Sequence, residues 1–144
     1  MNSKELFVRD TTVIKKSDNL FTAEVSENWS IGNTANGGYS MTLAAKAMSE
    51  YLEHKDPLSI SAHYLDRVDF GTTELHVTHL SSSKSLSTAR VELIQDNKIK
   101  IIFIGTFTDF SFKNDMNIYE RDVPNFPEYD SCEVIPYKEG FNPK

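Results

Sequence analysis

From residue 37 to residue 54 the apolar positions of the chain recur at helical spacing. Ala44, Ala47, Met48, Tyr51 and Leu52 fall on one side, with Lys46, Glu50 and Glu53 opposite. Leu43 and Ala45 widen the apolar sector, so protein is expected to cover most of this helix. Asn36-Gly37 would also suit a hairpin turn. No alternation follows it, however, and Leu-Ala-Ala-Lys-Ala is helix-forming sequence. Lys55-Asp56-Pro57 is expected to stop the helix, because proline cannot continue the backbone ladder.

On either side of the helix the period changes to two. Before it, residues 1–18 are polar and expected to be partly ordered, with Val13-Ile14 as a short strand. Phe21, Ala23 and Val25 share one side of a strand over residues 20–25, and residues 26–36 read as a loop carrying Trp29 and Ile31. After it, Leu58, Ile60, Ala62 and Tyr64 alternate with Ser59, Ser61 and His63, predicting a half-buried strand. Phe70-Gly71-Thr72 turns the chain, and Leu75 and Val77 begin the next strand. Residues 81–84 form a polar connection to Ala89, Val91 and Leu93, and Asp96-Asn97 is a tight-turn dipeptide. Residues 99–110 are apolar on both faces, which predicts cover on both sides. Short connections between consecutive strands make the sheet a mainly antiparallel meander. One helix covers about five strands only if the sheet curls around it. The expectation is an α+β domain over residues 1–112, with 113–144 as an extended tail holding four of the five prolines.

Composition narrows the class. The 144 residues suit one domain, and 39% hydrophobic content with nine Phe suits a globular core. No stretch approaches the ~20 apolar residues of a membrane span, and the first ten residues lack the apolar core of a signal peptide. A single Cys132 fits a reducing compartment, so a cytoplasmic location is expected. The net charge of −6 without a Lys/Arg cluster argues against nucleic acid. His54, His76 and His79 lack metal-ligand spacing, so no metal is expected.

The candidate site is the glycine pair. A buried helix opened by Gly37-Gly38 presents bare N–H groups where a ligand can approach closely. The same glycines also let a helix and a sheet pack tightly. Asn36 either caps the helix or orients a ligand carbonyl. His63 and Asp66 are the candidate general bases, set against a surface histidine and a turn carboxylate. Trp29 and Tyr39 line a binding tunnel or belong to the core. Lys84 and Arg90 meet phosphates or solubilise the sheet, and Gln95 reads as a strand-end residue.

Three motifs in order, Trp29-Ser30-Ile31-Gly32, Asn36-Gly37-Gly38-Tyr39 and Leu43-Ala44-Ala45, resemble the opening of the acyl-CoA thioesterase-like hot-dog family. Its members show W-x-I-G, then H-G-G-Y, then a Leu/Ala-rich helix. Residues 59–65 and 87–95 resemble the family's second and fourth strands, and the likeness extends over about residues 21–110. It is greatest with the N-terminal repeat of bacterial double hot-dog acyl-CoA thioesterases.

The resemblance implies a curled sheet around one central helix and activity on acyl-CoA thioesters. Coenzyme A would enter as part of the substrate, with no separate cofactor. Asn36, Gly37, Gly38, Tyr39 and Trp29 would then bind substrate, and a homodimer or pairing with a second hot-dog repeat is expected. Residues 137–144 resemble the linker into such a repeat. The family's catalytic Asp, Thr and Gln belong to the second repeat. The nearest positions here are Met48 or Ser49 and Ser61 or Ala62, and Asn36 stands where the family has His. The alternative is therefore a non-catalytic hot-dog unit that shapes an acyl pocket or an interface. A dehydratase is disfavoured, since no His or Asp stands at the helix entrance.

Overall fold

The alternating segments become strands of one antiparallel sheet in the computed structural model, which describes residues 2–111 and 121–133. In chain order the elements are α1 (Ser3–Asp10), β1 (Val13–Lys15), β2 (Leu20–Val25), β3 (Ser30–Ile31), β4 (Thr34–Ala35), α2 (Gly37–Tyr51), β5 (Asp56–Tyr64), β6 (Gly71–Ser82), β7 (Ser87–Gln95) and β8 (Lys98–Thr108). Six strands lie in the order β1-β2-β6-β7-β8-β5, and β3 and β4 form a separate small pair. Asp96 and Asn97 both take positive φ in the tight β7–β8 turn, as their residue types favour.

Phe21, Ala23 and Val25 of β2 face inward with Leu75, Val77, Ala89, Val91, Leu93, Ile101, Phe103 and Phe107. They meet Leu43, Ala44, Ala47 and Met48 of α2, which touches all six strands of the sheet. Each large side chain so buried contributes about 1.5–3 kcal/mol. A close approach occurs at Gly105 of β8, where an added Cβ would lie 2.5 Å from Met48 Sδ and 3.1 Å from Phe107 Cε2. Glycine there lets the helix lie against the sheet.

Four expectations are corrected. Residues 3–10 form a helix rather than partly ordered chain. Asn2 and Glu5 complete a reciprocal capping box around its first turn. Second, α2 ends at Tyr51, three residues early: Leu52 turns extended and buries its side chain. Lys55 Nζ then satisfies the freed carbonyls of Ser49 at 2.7 Å and Leu52 at 2.6 Å. Pro57 lies within β5, where an edge strand with a bulge accommodates it.

Third, β5 is less covered than a half-buried strand: Leu58 and Tyr64 are 56% and 54% exposed, because β5 is the sheet's edge. Fourth, β8 is covered on one face alone. Ile101, Phe103 and Phe107 meet the helix, whereas Ile104 on the convex face is 39% exposed, with no second layer there among the described residues. Residues 121–133 are exposed and irregular apart from one turn of 3-10 helix at Tyr129–Ser131. The linker-like residues 137–144 lie outside the described residues.

Gly105→Ala is expected to destabilise the fold by about 1–3 kcal/mol through overpacking. Adding Met48→Ala should recover part of the cost that the methyl clash imposes. Urea unfolding of the single and double variants measures both; equal stability of Gly105→Ala and the unaltered protein would contradict this packing account.

Candidate functional site

The N-terminus of α2 is held through Asp10, whose backbone carbonyl takes Tyr39 and whose buried carboxylate, which composition does not single out, gathers the loop before the helix. Asp10 Oδ2 accepts hydrogen bonds from Asn28 Nδ2 at 2.8 Å, Ser26 Oγ at 3.0 Å and Trp29 Nε1 at 3.1 Å. Its Oδ1 accepts from Arg9 Nε at 2.7 Å. Burial pushes this carboxyl up, but the bonds from Asn28, Arg9, Ser26 and Trp29 outweigh it and hold the group below its ordinary range. The Asp10 carbonyl accepts from Tyr39 Oη at 2.7 Å, and that hydroxyl accepts from Ser26 N at 3.1 Å. Burial, followed by the opposing Ser26 bond and the nearby Asp10 and Glu24 charges, leaves the Tyr39 phenol raised and thus protonated. Trp29 meets Phe7 edge-on at 4.9 Å and stacks with Tyr39 at 6.3 Å. Trp29 and Tyr39 thus join α1, β2 and α2 into one frame.

Asn36 is the N-cap of α2. Its Oδ1 accepts from Gly38 N at 2.8 Å and Tyr39 N at 3.4 Å, so two first-turn donors serve the cap. The Gly37 N–H stands outside that arrangement. The two glycines also differ in surroundings. A Cβ on Gly37 would lie 2.9 Å from Tyr64 Oη, whereas one on Gly38 would meet only Asn36 Oδ1 at 3.2 Å. Gly37 is the position of close approach.

Gly37 borders a cavity of about 300 Å3 together with Ser40, Tyr64, Asp66, Arg67 and Val68. The β5–β6 loop forming its rim is tied down three times. The Val68 carbonyl accepts from Ala35 N at 3.0 Å and Thr34 Oγ1 at 2.8 Å. Gln95 brackets Asp69, accepting from its N–H at 3.0 Å and donating to its carbonyl at 2.8 Å. The Lys100 carbonyl accepts from Leu65 N and Asp66 N, and Lys100 Nζ reaches Asp66 Oδ2 at 3.0 Å. Asp66 Oδ1 accepts from Arg67 N at 2.8 Å. The Lys100 bond, aided by that of Arg67 N–H and by the lysine's charge, holds the Asp66 carboxyl below its ordinary range, so it is ionised at neutral pH.

The structure therefore brings Gly37 and Asp66 to one cavity with Tyr64. It places His63 on the opposite, convex face of β5, exposed and in register with Ile102. Arg90 pairs with Glu92 on that convex face, and Lys84 lies at the β6–β7 hairpin tip. Met48 is buried against Gly105, and Ser49 Oγ donates to the Lys55 carbonyl at 2.9 Å. Tyr64 and Lys100 were not legible as site residues. The available signal was a lysine inside the apolar run Ile99-Lys100-Ile101-Ile102.

A larger groove of about 900 Å3 runs beside β1 and β2; of its carboxylates, Asp10 is engaged as above and Glu24 Oε2 accepts from Thr72 Oγ1 at 3.0 Å, while Glu27 lies exposed at its margin. No group of three or more His, Cys, Asp or Glu with metal-binding geometry occurs among the described residues.

Chemically, the residues lining the smaller cavity include Asp66, with an ionised carboxylate, and Gly37, whose N–H stands outside the Asn36 cap. That combination can accept a proton from water and donate to a carbonyl oxygen.

The profile of the acyl-CoA thioesterase N-terminal domain family matches residues 25–109. No curated protein sequence matches the chain. Among solved structures, a hot-dog protein of unknown function from Alicyclobacillus acidocaldarius superposes with a TM-score of 0.77 at 14% identity, covering 87% of this chain and 47% of its own. The tesB protein of Mycobacterium avium subspecies paratuberculosis gives 0.76 at 20% identity, covering 90% and 50%. A Streptococcus mutans protein solved with acetyl-CoA bound gives 0.60 at 18% identity, covering 67% and 87%. The chain thus spans about half the length of the first two and most of the third, and it shares the hot-dog fold with them.

Asp10 yields a pH prediction. Its folded carboxyl titrates below the ordinary value of 3.8, so its stabilisation is complete above that value and lost as pH falls through the lower, folded one. Asp10→Asn is expected to cost about 1–3 kcal/mol at pH 7. The variant should also show a shallower loss of stability between neutral and strongly acidic pH. Denaturant titrations at several pH values decide this, and parallel pH curves for the two proteins would contradict it.

Proposed function

We propose, for a chain that belongs to the acyl-CoA thioesterase N-terminal domain family, that it serves as one hot-dog unit of an acyl-CoA thioester hydrolase. The observation that carries this reading is the shared cavity of Gly37 and Asp66. The thioester carbonyl oxygen accepts from the Gly37 N–H, and the Asp66 carboxylate takes a proton from water as its oxygen attacks the carbonyl carbon. Collapse of the tetrahedral adduct breaks the C–S bond, and Asp66 returns the proton to the coenzyme A thiolate. Fatty or other carboxylic acid and free thiol are the products. Coenzyme A takes part as a portion of the substrate, and the reaction so written uses no further cofactor.

The partner in this reading is a second hot-dog unit, either another copy or a second repeat. Two observations support it. β5 is an edge strand of nine residues, and Leu58, Tyr64 and Leu65 are exposed along and just beyond it. An apolar edge of that length is a template for pairing. A cytoplasmic location fits the reading, and no helix among the described residues is long and apolar enough to cross a membrane.

A second reading rests on the cap. With Gly38 and Tyr39 N–H engaged by Asn36, and Met48 and Ser49 at the helix positions nearest to the family's catalytic acid, the chain supplies one backbone donor and no acid at those positions. In that case it is a non-catalytic half that shapes the pocket for a partner.

The first test is binding. Gly37→Val should weaken binding of a non-hydrolysable acyl-CoA analogue about tenfold, roughly 1.4 kcal/mol, in a protein that still folds. Unchanged affinity measured by calorimetry would remove the cavity from consideration.

The second test joins assembly to activity. Light scattering is expected to find a two-unit assembly, and the same sample should hydrolyse acyl-CoA. Asp66→Asn should lower the rate about 100-fold or more, with His63→Ala close to the unaltered protein. A monodisperse monomer at high micromolar concentration would contradict the pairing, and an assembly inactive on every chain length would favour the non-catalytic half.

A further inference from the structure

Lys100 is the only buried lysine or arginine among the described residues. It sits on β8 beside an irregularity in the β7–β8 register, and its side chain is 7% exposed. A buried ammonium is unfavourable unless paired. Among the described residues its side-chain partner is Asp66, whose carboxylate is 52% exposed. A pair with one half-solvated member adds little to stability. The loop hardly needs it as a tether either, because the Lys100 carbonyl already accepts from Leu65 N at 2.9 Å and Asp66 N at 3.0 Å. What the ammonium adds is orientation: it fixes the Asp66 carboxylate from the inner side while Arg67 N–H holds the other oxygen.

We propose that Lys100 is a positioning residue for thioester hydrolysis, holding the Asp66 carboxylate charged and aimed at the cavity beside Gly37. This inference rests on the reading of Asp66 as the water-activating base. The titratable and charged groups around Asp66 are Lys100 from β8, Tyr64 at the end of β5, and Arg67 and Asp69 from its own loop, the last two paired at 3.6 Å. Lys100 alone among them brings a positive charge from inside the fold.

The test compares Lys100→Met, which keeps the length of the side chain and removes its charge, with Lys100→Arg, which keeps the charge. Lys100→Met should lower kcat about ten- to a hundredfold with a smaller change in KM. Its kcat/KM profile should lose activity at a higher pH on the acid side, since an unassisted carboxyl protonates more easily. Lys100→Arg should restore most of kcat. If Lys100→Met does not fold, Lys100→Gln carries the same expectation for the acid limb. Carbon-detected NMR of the Asp66 carboxyl supplies a readout independent of activity, and its midpoint should rise in the uncharged variant. An unchanged midpoint overturns the inference, as does an unmoved acid limb in a protein that Asp66→Asn inactivates. Full hydrolysis by Asp66→Asn would instead overturn the parent reading of Asp66.

Discussion

A single helix that is apolar around most of its circumference cannot rest on a flat sheet. Nearly every other feature of this fold follows from the need to cover α2. Leu43, Ala44, Ala47 and Met48 are all fully buried, although they point in different directions from the helix axis. Six strands reach them because the sheet curls, and Gly105 gives up its side chain at a close contact. The same requirement explains the small residues along the helix. Alanines at 44, 45 and 47 keep the enclosed cylinder narrow enough for a six-stranded sheet to wrap.

Much of this architecture was legible in the chain. The switch of period after the helix is strong because both signals are long, and the inward residues of β2, β6 and β7 follow from alternation alone. The misses have local causes. Helix α1 is eight residues of mostly polar sequence, and its Asn2-to-Glu5 capping box is a short signal inside a segment without an apolar stripe. The end of α2 depends on Lys55 folding back onto carbonyls three to six residues earlier, which no periodicity reveals. The partial exposure of β8 and β5 is a matter of strand order, and order is not written in a strand's own pattern.

For the candidate site the division is sharper. The glycine pair and Asn36 are readable as a helix entrance, and the cap is there. That Gly37 and not Gly38 faces the cavity is a consequence of how Tyr64 crosses it, which is a tertiary fact. Asp66 and Gly37 meet only because β5 runs back along the helix. His63, three residues before Asp66, ends on the other side of the sheet through strand alternation. The Asp10 hub was invisible because an acidic residue in a polar N-terminal stretch gives no hint of burial, although Trp29 and Tyr39, which bond to it, were already singled out.

Tyr64 occupies two places in this structure at once. It ends β5, the open edge of the sheet, and its ring lies against Gly37 at the cavity. A strand added along β5 would restrict the ring, and a ligand at Gly37 must accommodate the same ring. Two equilibria that share one side chain are thermodynamically linked. If association at the edge changes affinity in the cavity by some factor, occupancy of the cavity must change association by that same factor. Under the function proposed above, substrate concentration and subunit concentration would then cease to be independent variables, and an apparent Michaelis constant would have meaning only at a stated protein concentration.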